Sequence, residues 1–167
     1  MMLPDVRELV PHAGPMVLLE RVLAVDADTL CAEVVIRPDT LFCDDQGVGA
    51  WVGVEYMAQA VAAFAGHEAR LRGEPVRVGF LLGTRRYECR LPAFALGSRL
   101  HVHVQRTLQG ENGLGAFECR IVDADMSGVE ASGVETPGTP LATATVTVFQ
   151  PDNVNDFLQG ISDEGVV

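Results

Sequence analysis

The chain has 167 residues, 48% hydrophobic and 21% charged, a globular balance that is long enough for one core and short for two. Its net charge is −11 and all twelve basic residues are arginines, which excludes a broad basic face for nucleic acid and any Schiff-base or phosphate-loop lysine. It has no run of about 18 uncharged apolar residues to span a membrane, and its start, Met1–Asp5, lacks the basic and apolar regions of a secretory signal, so a cytoplasmic setting is expected.

In chain order, Asp5–Val10 predicts one or two helical turns ended by Pro11. Met16–Asp26 predicts a strand, and the alternation in Thr29–Arg37 predicts its antiparallel partner. Pro38–Gly49, rich in Pro, Asp and Gly, predicts a loop. Trp51–Leu71 predicts the one long helix, closed by Gly73-Glu74-Pro75. Val76–Leu91, Arg99–Leu108, Leu114–Asp125 and Leu141–Phe149 predict four more strands. Met126–Pro140, rich in Ser, Gly and Pro, predicts an insertion in a hairpin. The expected organisation is a single domain over 1–150 and a loosely held acidic tail over 151–167.

The helix carries the most information. In Trp51–Gly66, WVGVEYMAQAVAAFAG, only Glu55 and Gln59 are charged or amide-bearing, and their i, i+4 spacing puts them on one face. A helix lying on one side of a core shows a broad polar stripe. This one predicts enclosure on nearly all sides, with small residues that let other backbone come close. One apolar helix followed by four β segments predicts an α+β hotdog fold, a long antiparallel sheet wrapped around a central helix. In that arrangement a second protomer covers the side of the helix left open, so at least a dimer is expected.

Glu55 is the first chemical candidate. A carboxylate on an apolar helix is costly to bury ionised, and desolvation moves it toward general acid or base work. Its place near the helix start opposes that shift. Gln59 could bond to Glu55 or to substrate. The loop Cys43–Ala50 enters the helix, and the backbone N–H groups around Gly49, Ala50 and Trp51 predict a site for a developing oxyanion. Asp44 and Asp45 fit either a turn cap or a proton carrier. His12, between Pro11 and Pro15, is a held imidazole that could carry a proton. His101 and His103 share one strand face, but the sequence offers them no third ligand. The four cysteines form no CxxC pair and read as reduced thiols, so no metal is expected. Adjacent Arg85 and Arg86, with Arg77 and Arg90, could bind phosphate. On a regular strand only one of the adjacent pair would face a given site.

Leu9-Val10-Pro11-His12 through Leu19-Glu20-Arg21-Val22 resembles the LPH…LLVDRV opening of bacterial 3-hydroxyacyl-ACP dehydratases, and Val54-Glu55-Tyr56-Met57-Ala58-Gln59-Ala60 resembles their IEAMAQA helix. PHAGPM, AWVGVEYMAQA, GFLLGTRRYE and GAFECRI, in that order, resemble the dehydratase-like hotdog proteins of aryl-polyene pathways over about residues 8–149. The resemblance implies loss of water from an acyl thioester on acyl-carrier protein. It implies no cofactor beyond the phosphopantetheine that the carrier brings, and no nucleic acid or membrane partner. It places the helix carboxylate at Glu55, with Gln59 after it, and a carbonyl-orienting N–H near Gly49-Ala50. The family's GHFPG histidine has no counterpart in Thr40–Asp45, so the second proton carrier is expected to be His12 or Asp45. Arg85 and Arg86 are expected at the rim where the carrier docks. Two alternatives stand beside dehydration: a thioesterase of the same fold, and a catalytically silent subunit paired with an active dehydratase. The assembly is expected to be a homodimer or a heterodimer with another hotdog subunit.

Overall fold

The computed structural model describes residues 2–76, 79–125 and 139–151. The expected tail beyond Pro151, nearly all of the expected insertion over 126–140, and Arg77 lie outside the described residues. The rest builds a six-stranded antiparallel sheet and one long helix, α1 (Gly53–Leu71). The strands are β1 (Arg21–Val25), β2 (Thr29–Val35), β5 (Phe80–Cys89), β7 (Arg99–Gln109), β8 (Leu114–Asp123) and β9 (Ala142–Phe149), in spatial order β1-β2-β7-β8-β9-β5. A second sheet joins three short strands, β3 (Cys43–Asp44), β4 (Gly47–Gly49) and β6 (Ala93–Phe94). No helix among the described residues is long and apolar enough to cross a membrane.

Period-2 alternation sorts the large sheet into two faces. Leu30, Ala32 and Val34 on β2, Leu100, Val102 and Val104 on β7, and Phe117, Cys119 and Ile121 on β8 all point inward and are buried. They meet the helix face formed by Tyr56, Met57, Ala60, Val61, Ala63 and Phe64, which is also buried. Apolar surface removed from water on both sides of this contact is the main force holding helix to sheet.

The enclosure of the helix is less complete than its composition predicts. Val54, Glu55, Ala58, Ala62 and Ala65 stay half-exposed, and Trp51 is 66% exposed. Their spacing of three and four residues makes one continuous strip along α1 that the chain's own sheet does not cover.

Two boundaries differ from expectation for identifiable reasons. The first strand begins at Arg21, not Met16, because Gly14–Met16 is a 3-10 turn and the run after it is held by a side chain instead of a ladder. Gln59 reaches across from α1: its Nε2 donates to Met16 O at 2.7 Å, and its Oε1 accepts from Leu18 N at 2.9 Å. The predicted loop at 38–49 contains β3 and β4. These strands are two and three residues long, too short to show a period.

The N-terminal segment crosses α1 at Gly66. Val6, Leu9 and Val10 are buried there, and a Cβ built on Gly66 would lie 1.9 Å from Leu9 O. Only a residue without a side chain permits this approach. The crossing directs the following turn, Pro11–Pro15, back along the helix toward its N-terminal end.

Candidate active site

That turn places His12 beside Glu55. His12 Nε2 lies 3.4 Å from Glu55 Oε1, with the side chains 27% and 35% exposed. Gln59 Nε2 also donates to Glu55 Oε1, at 3.0 Å. Both N–H groups of the buried Gln59 amide are therefore spent within the chain, one on Met16 O and one on Glu55. Gln59 thus ties the Glu55 carboxylate and the segment after the His12 turn to one helix face, the first of the two partners the sequence offers it. His12 Nδ1 is buried with no hydrogen-bond partner among the described residues.

Glu55 and His12 stand at one end of a cleft of about 380 Å³. Its helix wall is the small-residue strip Ala58, Ala62 and Ala65, and the opposite wall includes Leu81, Leu114 and Val148. The far end is charged. Arg106 Nη1 bonds to Glu68 Oε1 at 2.6 Å and Nη2 to Asp28 Oδ1 at 3.1 Å, with the guanidinium 4.9 Å from the Phe64 ring centre. Thirteen residues of helix separate Glu55 from Glu68, a rise of about 20 Å. The result is a cleft of mixed polar and apolar lining with Glu55 and His12 at one end and the Arg106–Glu68 ion pair at the other.

Arg106 was not singled out from the sequence, although a signal exists. It follows Leu100, Val102 and Val104 in the inward phase of β7, where an arginine needs a buried or half-buried partner.

Other expected site residues fall elsewhere. Asp45 is exposed in the β3–β4 turn and does not line the cleft, while its neighbour Asp44 accepts from Gln46 N at 2.8 Å as a turn cap. Asp45 is therefore not placed to share a proton with Glu55. The Ala50 N–H is committed to Pro92 O at 3.0 Å, which removes it as an oxyanion donor. Ala50 O accepts from the Tyr87 hydroxyl, whose pKa burial pushes up. Gly49 lies under the Trp51 indole: an added Cβ would sit 2.6 Å from Trp51 Nε1. Trp51 itself packs edge-on to Phe42, with ring centres 5.4 Å apart.

Arg85 and Arg86 are both exposed on β5. A register shift between Arg85 and Glu88, with Arg86 at φ +55°, breaks the alternation that would have turned one of them inward. Neither lines the cleft.

An antiparallel sheet packed on one central helix defines the hotdog class, and in this member a helix carboxylate, Glu55, meets an imidazole, His12, from the N-terminal turn. The ApeP-like family, described as ApeP dehydratase, matches residues 4–159, and the chain belongs to that family of dehydratases. A chain of "The Dehydratase Heterocomplex ApeI:P from Xenorhabdus doucetiae" is 30% identical, with a TM-score of 0.80 over 96% of this chain and 99% of that one. More distant structures share the fold alone. A hypothetical thioesterase from Streptococcus pneumoniae, solved with coenzyme A, is 13% identical with a TM-score of 0.55 over 78% of this chain and 84% of that one. A sigma28-regulated virulence protein from Campylobacter jejuni is 10% identical with a TM-score of 0.59 over 89% and 98%. No curated protein matches the chain.

Proposed function

We propose that this chain is the acid–base subunit of a hotdog dehydratase that removes water across C2–C3 of 3-hydroxyacyl or polyene thioesters. The thioester is carried on the phosphopantetheine of an acyl-carrier protein, in aryl-polyene-type synthesis. The observation that supports this reading best is the 3.4 Å approach of His12 Nε2 to Glu55 Oε1 at one end of the cleft beside α1.

Dehydration needs one proton taken from C2 and one delivered to the departing hydroxyl, with no net change. A pair that holds one exchangeable proton can do both. The member without the proton accepts it from C2, and the member with it protonates the hydroxyl, which leaves as water. Exchange between Nε2 and Oε1 then resets the pair. The C2 proton becomes acidic only if the thioester carbonyl is polarised. With the Ala50 N–H spent, the Trp51 N–H in the uncapped first turn is the donor we assign to that carbonyl.

The half-exposed strip Val54, Ala58, Ala62 and Ala65, together with exposed Trp51, is the surface we assign to a second hotdog subunit. The relative from Xenorhabdus doucetiae is itself a heterocomplex, which favours a heterodimer. A partner there would roof the slot and exclude water from the pair.

The test is to supply a 3-hydroxyacyl-carrier protein to the chain alone and to the chain co-purified with its hotdog partner. Enoyl absorbance without free thiol is the expected result. Free thiol without enoyl product would replace this reading with a thioesterase, and an inert preparation in both settings would end it.

Docking gives a separate expectation. The carrier protein is acidic, as is this chain, so binding needs a local basic rim. The double reversal Arg85→Glu/Arg86→Glu should raise KM for the carrier substrate about tenfold and steepen with falling salt, while kcat holds. An unchanged KM would remove these arginines from the docking surface.

A further inference from the structure

The outer face of the sheet, on the side away from α1, carries a second cluster of side chains. In β2 and β7 the inward residues are Leu30, Ala32, Leu100, Val102 and Val104, so Cys31, Glu33, His101 and His103 point the other way. The antiparallel register puts Cys31 directly opposite His103, and Glu33 directly opposite His101. Three ligand atoms, one each from Cys31, His101 and His103, lie within 4.8 Å of one another. The third ligand that the His-x-His spacing lacks in sequence is supplied across the strands.

We propose that Cys31, His101 and His103 bind a divalent zinc ion, with the fourth position open to a small exogenous ligand and with Glu33, outside the three-residue group, bonded to His101 behind it. In a tetrahedral zinc site, metal–ligand distances near 2.3 Å for sulfur and 2.0–2.1 Å for nitrogen or oxygen put S···N pairs roughly 3.5 Å apart and N···O pairs roughly 3.4 Å apart. Here Cys31 Sγ is 3.8 Å from His103 Nε2, and His101 Nε2 is 3.5 Å from Glu33 Oε2. The Cys31–His103 separation needs only a few tenths of an ångström of closure, and the three ligand atoms, within 4.8 Å of one another, must draw together by at most about 1.4 Å. The donor set of one thiolate and two imidazoles suits zinc, and the carboxylate on His101 is the partner that orients such a ligand.

The charges nearby can be set against this. The Cys31 thiolate offsets one charge of the ion, and the Glu33 carboxylate stands behind His101. Arg21 Nε holds Glu33 Oε1 at 3.1 Å, which leaves Oε2 turned to His101, and Arg99 Nε stands 4.0 Å from Oε2. Arg120 lies opposite His103 on β8 and is the cation that most opposes the site. All three proposed nitrogen and sulfur ligands are half-buried and line an open hollow of about 930 Å³, so an ion has a path in. Bound there, zinc would clamp β2 to β7 on the face opposite the catalytic slot.

The full-length chain, stripped of metal, can be titrated with Co²⁺ and then with Zn²⁺. The expected result is one ion per chain, a thiolate-to-cobalt charge-transfer band that zinc displaces, micromolar or tighter affinity, and a thermal midpoint raised by about 5 °C. Cys31→Ser should abolish the band and weaken zinc binding at least tenfold. His103→Gln, which keeps the thiol, should weaken zinc binding similarly. Cys43→Ser and His12→Ala should leave binding unchanged. Absence of a stoichiometric band, or a band that survives Cys31→Ser, would overturn the proposal. If Cys31→Ser does not fold, an affinity unchanged in His103→Gln would overturn it equally. None of these readouts depends on dehydration, so the site stands or falls apart from the catalytic reading.

Discussion

Replacing Glu55 by Gln should slow enoyl formation by about 10²–10⁴-fold, the usual worth of a positioned acid or base, and leave the fold intact. The side chain is about one-third exposed, and the amide keeps an oxygen that can accept from Gln59, so little stability is at stake. What is lost is the ability to exchange a proton with His12. His12→Ala should cost a similar factor. Because the two groups act as one unit, the double variant should be hardly slower than either single one. Additive losses would separate their roles, and an Glu55→Gln complex that keeps more than about a tenth of wild-type turnover would place the chemistry in the partner subunit.

The second large effect concerns Gly66→Ala. In a free helix this change stabilises by about 1 kcal/mol, because alanine is the better helix former. Here the new methyl would meet backbone atoms, with Leu9 O at 1.9 Å and Leu9 C at 2.7 Å, and neither can rotate away. The N-terminal segment must lift off α1 or the helix must shift, at a cost of about 2–4 kcal/mol. Steric cost therefore outweighs propensity, and the thermal midpoint should fall by roughly 5–15 °C. His12 lies three residues past Leu9, so turnover should fall as well, even where the variant remains folded. A midpoint equal to or above wild type would show that Leu9 does not lie on Gly66 in solution.

The sequence made the long elements legible and left the close approaches hidden. Strand β2 and the helix were readable because Leu30-Ala32-Val34 repeats every second residue and Tyr56, Met57, Ala60, Val61 and Phe64 follow the helical period. The hotdog arrangement followed from a helix too apolar to sit on a surface. Glu55 stood out by the same contrast, as the lone carboxylate of the apolar stretch Trp51–Gly66. Gln59 stood out too, but its partners did not, since Met16 and Leu18 are more than forty residues away and are bonded through backbone atoms. The placement of His12 rests on the Leu9–Gly66 crossing, a contact between a carbonyl and a missing side chain that has no periodic signature. The bulge at Arg86 hid in the same way: strand alternation is a rule about regular backbone, and one residue at positive φ suspends it.

The strand order also bears on how the molecule is made. Among the described residues strand β5 pairs with no strand but β9, yet about fifty residues of chain separate the end of one from the start of the other. At ribosomal speeds of about 5–20 residues per second, β5 waits roughly 3–10 s for the strand that ties it to the rest. During that interval β5 and β8 both present bare amide and carbonyl rows to whatever nascent chain is near. A ribosome stalled before Ala142 would therefore hold a protein with two sticky margins, which makes the final stretch of translation the moment of greatest aggregation hazard.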